Sequence, residues 1–323
     1  MFMSKVAITR PLPEAGLTAL KAAHSVAIYD PAVHGDADED RIIAMVRDAE
    51  ALIPTVADPI TERVLAASSH LRIVAQFGVG TDNIDLDAAR ALGIVVTNTP
   101  DVLTDATADF AFALLLAVAR HLRAADQFVR AGTFQRWETT MMMGVELRGK
   151  TLGIVGMGRI GQAMARRALG FGMRVVYHNR RPINFTIERR LGAQYVSFED
   201  VLAQSDVLSL HCALNDDSYH LIDAAAFDRM KPSALLVNTA RGPIVDEEAL
   251  VQALREGQIA GAGLDVFEEE PAVHPGLFDH PRVMLAPHLG SATVEARTAM
   301  ARMAAEAVLA ALADAETIPH RVV

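Results

Sequence analysis

The sequence has a single cysteine, Cys212, so no internal disulfide can form, and a reducing compartment such as the cytoplasm is expected. Basic residues are outnumbered: 30 Lys and Arg against 40 Asp and Glu leave a formal net charge of −10. That balance excludes a fold-wide basic face, and no nucleic-acid partner is expected. Long apolar runs are also missing. The longest, residues 110–119, lies between Asp109 and Arg120 and is about half of what a membrane span requires. It reads as a buried helix, and no membrane partner is expected. The opening MFMSKVAITR holds no apolar stretch long enough for a signal peptide. There is no internal repeat, low-complexity tract or Ser/Gly linker, and no metal site is expected.

What is present is an ordinary globular composition, 51% hydrophobic and 22% charged. At about 150 residues per domain, 323 residues suggest two domains. Short β-rich runs fall at 6–9, 26–29, 51–54, 72–77 and 94–97, with helical stretches such as 14–23 and 39–47 between them. A second series follows at 151–155, 174–177, 207–211, 234–238, 261–266 and 283–286. Alternation at this spacing predicts an α/β protein with two parallel sheets in tandem, each covered on both faces. Two long stretches rich in Ala, Leu and Met, 101–132 and 291–313, read as single helices. As a pair they would carry the chain across and back. One domain would then be discontinuous, 1–100 with 288–323, and the other would span 101–287. The alternative is that both helices cover the second sheet.

The strongest local motif is Gly156-Met-Gly158-Arg159-Ile160-Gly161, placed between an apolar strand and an Ala-rich helix. That context is what a dinucleotide-binding loop requires. Gly156 permits the tight turn, Gly158 lets a pyrophosphate approach the backbone, and Gly161 lets helix and strand pack closely. The helix N-terminus offers N–H groups and a positive dipole end to phosphates. Enzymes using NAD place an acid roughly 20 residues past the first glycine. Here Asn179 stands in that region, followed by Arg180 and Arg181, and no acid occurs between Tyr177 and Pro182. Two arginines can pair with a ribose 2′-phosphate. NADP is therefore the expected cofactor, with NAD the alternative.

Six ordered blocks then identify a resemblance. They are FGVGTDNID from Phe77, NTPDVLT from Asn98, the glycine motif, VNTARGPIVD from Val237, GLDVFEEEP from Gly263 and PHLGSAT from Pro287. Together they resemble the D-isomer-specific 2-hydroxyacid dehydrogenases across essentially the whole chain, most closely the NADPH-dependent glyoxylate/hydroxypyruvate reductases. The resemblance implies two doubly wound parallel-sheet domains: a Rossmann nucleotide domain and a flavodoxin-like, discontinuous substrate domain. It also implies a homodimer and an oxidoreductase that reduces a small 2-oxo acid to the D-2-hydroxy acid.

Residue chemistry agrees with that implication. Reduction of a 2-oxo acid needs a cation for the carboxylate, and the planar fork of Arg241 suits it. It also needs a proton donor for the ketone, and an imidazole is a natural acid near neutral pH, so His288 is the candidate. Glu268, Glu269 and Glu270 run in a row; the family pattern puts the catalytic partner of His288 directly before proline, which selects Glu270. By the same resemblance, backbone N–H groups of Val79 and Gly80 hold the substrate carboxylate. Thr107, Thr239, Asp265, His288 and Gly290 lie beside the cofactor, and Cys212 beside its adenosine. Ser291 is expected to cap the last helix or touch substrate, capping being the plainer role. Trp137 and Met141, Met142 and Met143 would lie near a dimer contact. The dimer itself is expected because the 101–132 helix exposes more apolar surface than one sheet can bury. Readings still open are a dehydrogenase for aromatic or branched 2-hydroxy acids, a formate or phosphite dehydrogenase, and a dinucleotide-sensing corepressor without catalysis.

Overall fold

The computed structural model describes residues 5–323; residues 1–4, which begin the stretch read above for a signal peptide, lie outside the described part. The chain divides into two compact units, one formed up to Leu103 together with Ala292–Val323, the other by Thr104–Ser291. Among the described residues no helix is long and apolar enough to cross a membrane.

The first unit carries β1 (Lys5–Ile8), β2 (Ser25–Ile28), β3 (Ala51–Ile53), β4 (Ile73–Ala75) and β5 (Val95–Thr97). They form a parallel sheet in the order β2-β1-β3-β4-β5. Successive side chains leave a strand on opposite faces, so one sheet feeds two cores. Val6, Ile8, Ile53 and Ile73 pack on one side with Leu17, Leu20, Ala304 and Val308. Leu52, Val74 and Val96 pack on the other with Ile42, Val46 and Leu65. The C-terminal tail closes on β5, where Val322 N–H donates to the Val96 carbonyl at 2.7 Å.

The second unit carries β6 (Thr151–Val155), β7 (Arg174–His178), β8 (Ala193–Tyr195), β9 (Val207–Leu210), β10 (Leu235–Asn238), β11 (Gly261–Leu264) and β12 (Val283–Leu285). Their order is β12-β11-β10-β9-β6-β7-β8, again all parallel. From β6 the chain winds one way through β7 and β8, then crosses back to β9 on the other side of β6. Such a reversal opens a crevice at the carboxyl ends of the strands, where ligands bind in open α/β sheets. Strand β8 was absent from the sequence reading. It is three residues long and half exposed, so it leaves no apolar run to detect.

Both long helices differ from expectation. The 101–132 stretch is two helices, Thr104–Ala119 and Leu122–Arg130. His121 between them has φ +52°, in the left-handed region. The cause is a returning segment: Val145 N–H donates to the Ala119 carbonyl at 2.8 Å, and Gly144 lies against that same carbonyl. The acceptor that the next helical turn would have used is already taken. The last helix begins at Val294, and Thr293 is its N-cap, accepting from Ala296 N–H at 3.0 Å. Ser291 sits in the preceding turn and does not cap.

The apolar excess is displaced as well. The Thr104–Ala119 helix buries Ala111, Phe112, Leu114, Leu115 and Val118 against β10, β11 and the Arg159–Gly170 helix. Exposed apolar side chains lie instead on the Leu122–Arg130 helix and the segment after it: Leu122, Val129, Phe134, Met143 and Trp137, the last 74% exposed.

Candidate active site

Strand β6 is wholly buried, and the chain leaves it through Gly156 at φ +96°. Only glycine enters that region without cost. A Cβ at Gly156 would also overlap the Cys212 backbone, so the segment that follows β9 and the glycine loop touch through bare backbone. Gly158 is the N-cap of the Arg159–Gly170 helix, no side chain caps it, and the space where its Cβ would stand is open. Arg159 and Ile160 form the first helical turn, while Gly161 is buried against the Gly156 carbonyl.

At the carboxyl ends of β6, β7 and β9 lies a groove of about 970 Å³, in the range of cofactor sites. Its lining includes Gly156, Gly158, Asn179, Arg180, Arg181 and Cys212, with the acid Asp217 also present. Arg180 and Arg181 are exposed. Asn179 does more than leave an acid out: its Oδ1 accepts from the Met157 N–H at 2.7 Å, tying the end of β7 to the glycine loop. His178, Phe198 and His211 line the same groove and were not singled out from the sequence. Burial pushes the His211 imidazole down to about 4, so it is neutral at ordinary pH, and burial pushes the Cys212 thiol up to about 11. His211 Nδ1 and Thr239 Oγ1 are buried with no hydrogen-bond partner among the described residues. Buried polar atoms are seldom left so. Open space above Gly158, exposed arginines and two unsatisfied polar atoms together fit a phosphate-bearing dinucleotide.

A second cluster forms at the carboxyl ends of β10, β11 and β12. Arg241 follows β10 by three residues and starts a short 3₁₀ turn, Gly242–Ile244, its carbonyl accepting from Asn238 Nδ2 at 2.8 Å. Gly242 is pressed on the Phe267 carbonyl so closely that a Cβ there would overlap it. This contact brings the Arg241 segment against the loop that carries Glu270. Of the three adjacent glutamates, Glu270 is the one that meets His288, with Oε2 2.9 Å from Nδ1; its Oε1 accepts from Phe267 N–H at 3.0 Å. Burial opposes ionisation of Glu270. The hydrogen bond and charge of His288, the Phe267 N–H and the Arg241 charge outweigh burial and hold its carboxyl below the usual range.

His288 has φ +55°, and a single buried acid holds it there. Asp265, 1% exposed, takes the Leu289 N–H at 2.6 Å and the Gly290 N–H at 2.7 Å on its carboxylate. Its backbone carbonyl accepts from His288 N–H at 2.8 Å. Thr107 is buried beside Gly290. Val79 and Gly80 belong to the first unit, on the loop after β4. Their carbonyls accept from Asn98 Nδ2 at 2.8 Å and from Gln76 Nε2 at 3.1 Å.

The Asp265 carboxyl sits at about 6: burial raises it, and the two N–H donors and the His288 charge only partly offset that. Between about pH 4 and 6 the unfolded chain therefore releases this proton before the fold does, and stability from this site falls as pH rises. The melting temperature of the unmodified protein should exceed that of Asp265→Asn by a margin that narrows from about pH 4 to about pH 6.5. A margin independent of pH would show that Asp265 ionises at its ordinary value.

Comparison with known proteins bears on the same residues. Residues 112–290 match the family described as D-isomer specific 2-hydroxyacid dehydrogenase, NAD binding domain. The chain is similar to a glyoxylate reductase of Thermococcus litoralis, 48% identical over 325 residues that cover 98% of this chain and 96% of that one. Its fold is similar to that of a Thermus thermophilus protein, with TM-score 0.91 and 43% identity over 99% of this chain and all of that one. It is also similar to an NADPH-dependent glyoxylate/hydroxypyruvate reductase from Sinorhizobium meliloti, solved with NADP and malonate: TM-score 0.86, 34% identity, 99% and 97% covered. The chain belongs to the D-isomer-specific 2-hydroxyacid dehydrogenases.

Proposed function

We propose that this enzyme reduces glyoxylate or hydroxypyruvate to glycolate or D-glycerate, with NADPH as reductant. In this reading Thr104–Ser291 is the dinucleotide-binding domain and the other unit the substrate domain. The observation that carries it is the 2.9 Å contact between Glu270 Oε2 and His288 Nδ1, on a loop packed against the segment that bears Arg241. The glyoxylate reductase of T. litoralis, similar along almost the whole chain, supports the choice of substrate.

A bound nicotinamide dinucleotide supplies the hydride for the carbonyl carbon. The chain's own groups do the rest. Glu270 engages Nδ1 of His288, so Nε2 is the nitrogen left to give a proton to the carbonyl oxygen, and the ring orientation is fixed by the same bond. Arg241 grips the substrate carboxylate through its planar fork. Val79 and Gly80 would offer backbone N–H groups to a carboxylate, and Ser291 would touch substrate.

His288→Ala should lower kcat for glyoxylate by about 10²–10⁴-fold, the usual worth of a general acid. Arg241→Lys should restore little of what Arg241→Ala loses, because the fork is gone. Steady-state rates with glyoxylate, hydroxypyruvate, pyruvate and phenylpyruvate test both statements, and an unchanged kcat in His288→Ala defeats the assignment.

Cofactor choice rests on Arg180 and Arg181 at the groove. Charge-assisted bonds to a 2′-phosphate contribute about 1.5–3 kcal/mol each, roughly ten- to a hundredfold in affinity. KM for NADPH should be at least about tenfold below that for NADH, with the gap shrinking at high salt. Arg180→Ala should erode it, and equal KM values in the unmodified enzyme would mean that the arginines do not reach the phosphate.

The exposed apolar side chains of the Leu122–Arg130 helix and the following segment, Trp137 foremost, suit burial against a second copy of the chain. Light scattering at micromolar concentration should give about twice the 34.7 kDa of one chain, and Trp137→Ala should shift the mass towards the single-chain value.

A further inference from the structure

A buried acid that the mechanism above does not use lies behind the Glu270 loop. Glu247 is the first residue of the Glu247–Glu256 helix and is 6% exposed. Its Oε1 accepts from Glu268 N–H at 2.9 Å and its Oε2 from His274 N–H at 3.3 Å. These two N–H groups stand at either end of residues 268–274, the loop that carries Glu270. Glu268 returns the bond, its Oε2 accepting from Glu247 N–H at 3.2 Å, and its Oε1 lies 2.6 Å from His220 Nε2. His274 Nε2 is 2.9 Å from Glu248 Oε2, which adds a second tie to the same helix. One carboxylate thus grips both ends of a catalytic loop from the N-terminus of a helix, where negative charge is stabilised.

We propose that Glu247 is a positioning residue for the reaction: it holds the loop so that Glu270 stays on Nδ1 of His288. Burial is what makes the arrangement demanding. It pushes the Glu247 carboxyl up, against the two N–H donors that favour its ionised form, while Glu268 adds to the rise and His274 opposes it. A buried carboxylate held by two backbone donors fixes their positions as firmly as they stabilise it. The groups facing Glu270 itself are His288, Arg241 and Asp265, whereas the carboxylate of Glu247 accepts from the backbone N–H groups of Glu268 and His274. Its influence runs through the loop backbone.

This inference rests on the catalytic reading of Glu270 and His288, and one set of variants separates the two. Glu247→Gln keeps the shape but turns one acceptor into a donor facing a backbone N–H. It should lower kcat by about ten- to a hundredfold, the effect of an ångström-scale misplacement, and leave KM for NADPH within about twofold. The acidic limb of the kcat profile should also move to higher pH. Glu270 is held low chiefly by His288, and once that contact loosens its carboxyl returns towards the usual value of about 4.3. A residue that only stabilised the fold would lower the active fraction and leave the limb in place. If Glu247→Gln fails to fold, Glu268→Ala removes the reciprocal bond from the half-buried side and should move the limb in the same direction. An unmoved limb with normal kcat in a folded variant overturns the positioning role. The same assay on His288→Ala tells which idea fails: a normal kcat there defeats the catalytic reading, whereas a crippled His288→Ala beside a normal Glu247→Gln defeats this inference alone.

Discussion

The bare-backbone contact of Gly242 with the Phe267 carbonyl governs the carboxyl edge of the seven-stranded sheet. Strands β10 and β11 are neighbours, but their following loops would be forced apart by the width of one side chain if residue 242 had a Cβ. With glycine there, the segment bearing Arg241 lies against the loop bearing Glu270, and Glu247 and Glu268 can exchange hydrogen bonds across the join. Neighbouring β12 then delivers His288 to the open side of Glu270. Three strand ends, each unremarkable alone, become one constellation because two backbones touch.

Three acids in this small region show how burial and partners divide similar groups. Glu270 has a histidine, an arginine and a backbone donor, and is held low despite burial. Asp265 has two N–H donors but deeper burial, and sits at about 6. Glu247 has two N–H donors and an acidic neighbour, and is raised. Each is satisfied by backbone groups, as buried carboxylates must be if they are not to cost several kcal/mol. The polar network is therefore also what fixes the backbone. His288 keeps its left-handed φ because its own N–H and the next two are all held by Asp265.

Much of the architecture was readable from the chain. Apolar runs with strand spacing, separated by Ala-rich helical stretches, dictate parallel sheets, because parallel strands are covered on both faces and lose their polar alternation. The glycine motif declared itself by its place between the β6 run and an Ala-rich helix. Local pattern is weak in two places: β8 has no apolar run, and residues 101–131 carry no proline or glycine to announce the break at His121. By residue type Ser291 is the better cap, and only the backbone path selects Thr293.

The sequence by itself determined the period of most strands and helices, the turn chemistry of Gly156 and the family to which the six blocks point, since all of these are written in residues close along the chain. Tertiary structure alone decided which partners far apart in sequence would meet. It gave the Ala119 carbonyl to Val145, turned the Asn179 amide to Met157, and set Glu247 against Glu268 and His274. The reason is that a hydrogen bond between distant residues depends on where packing brings their backbones, and no local pattern encodes that distance.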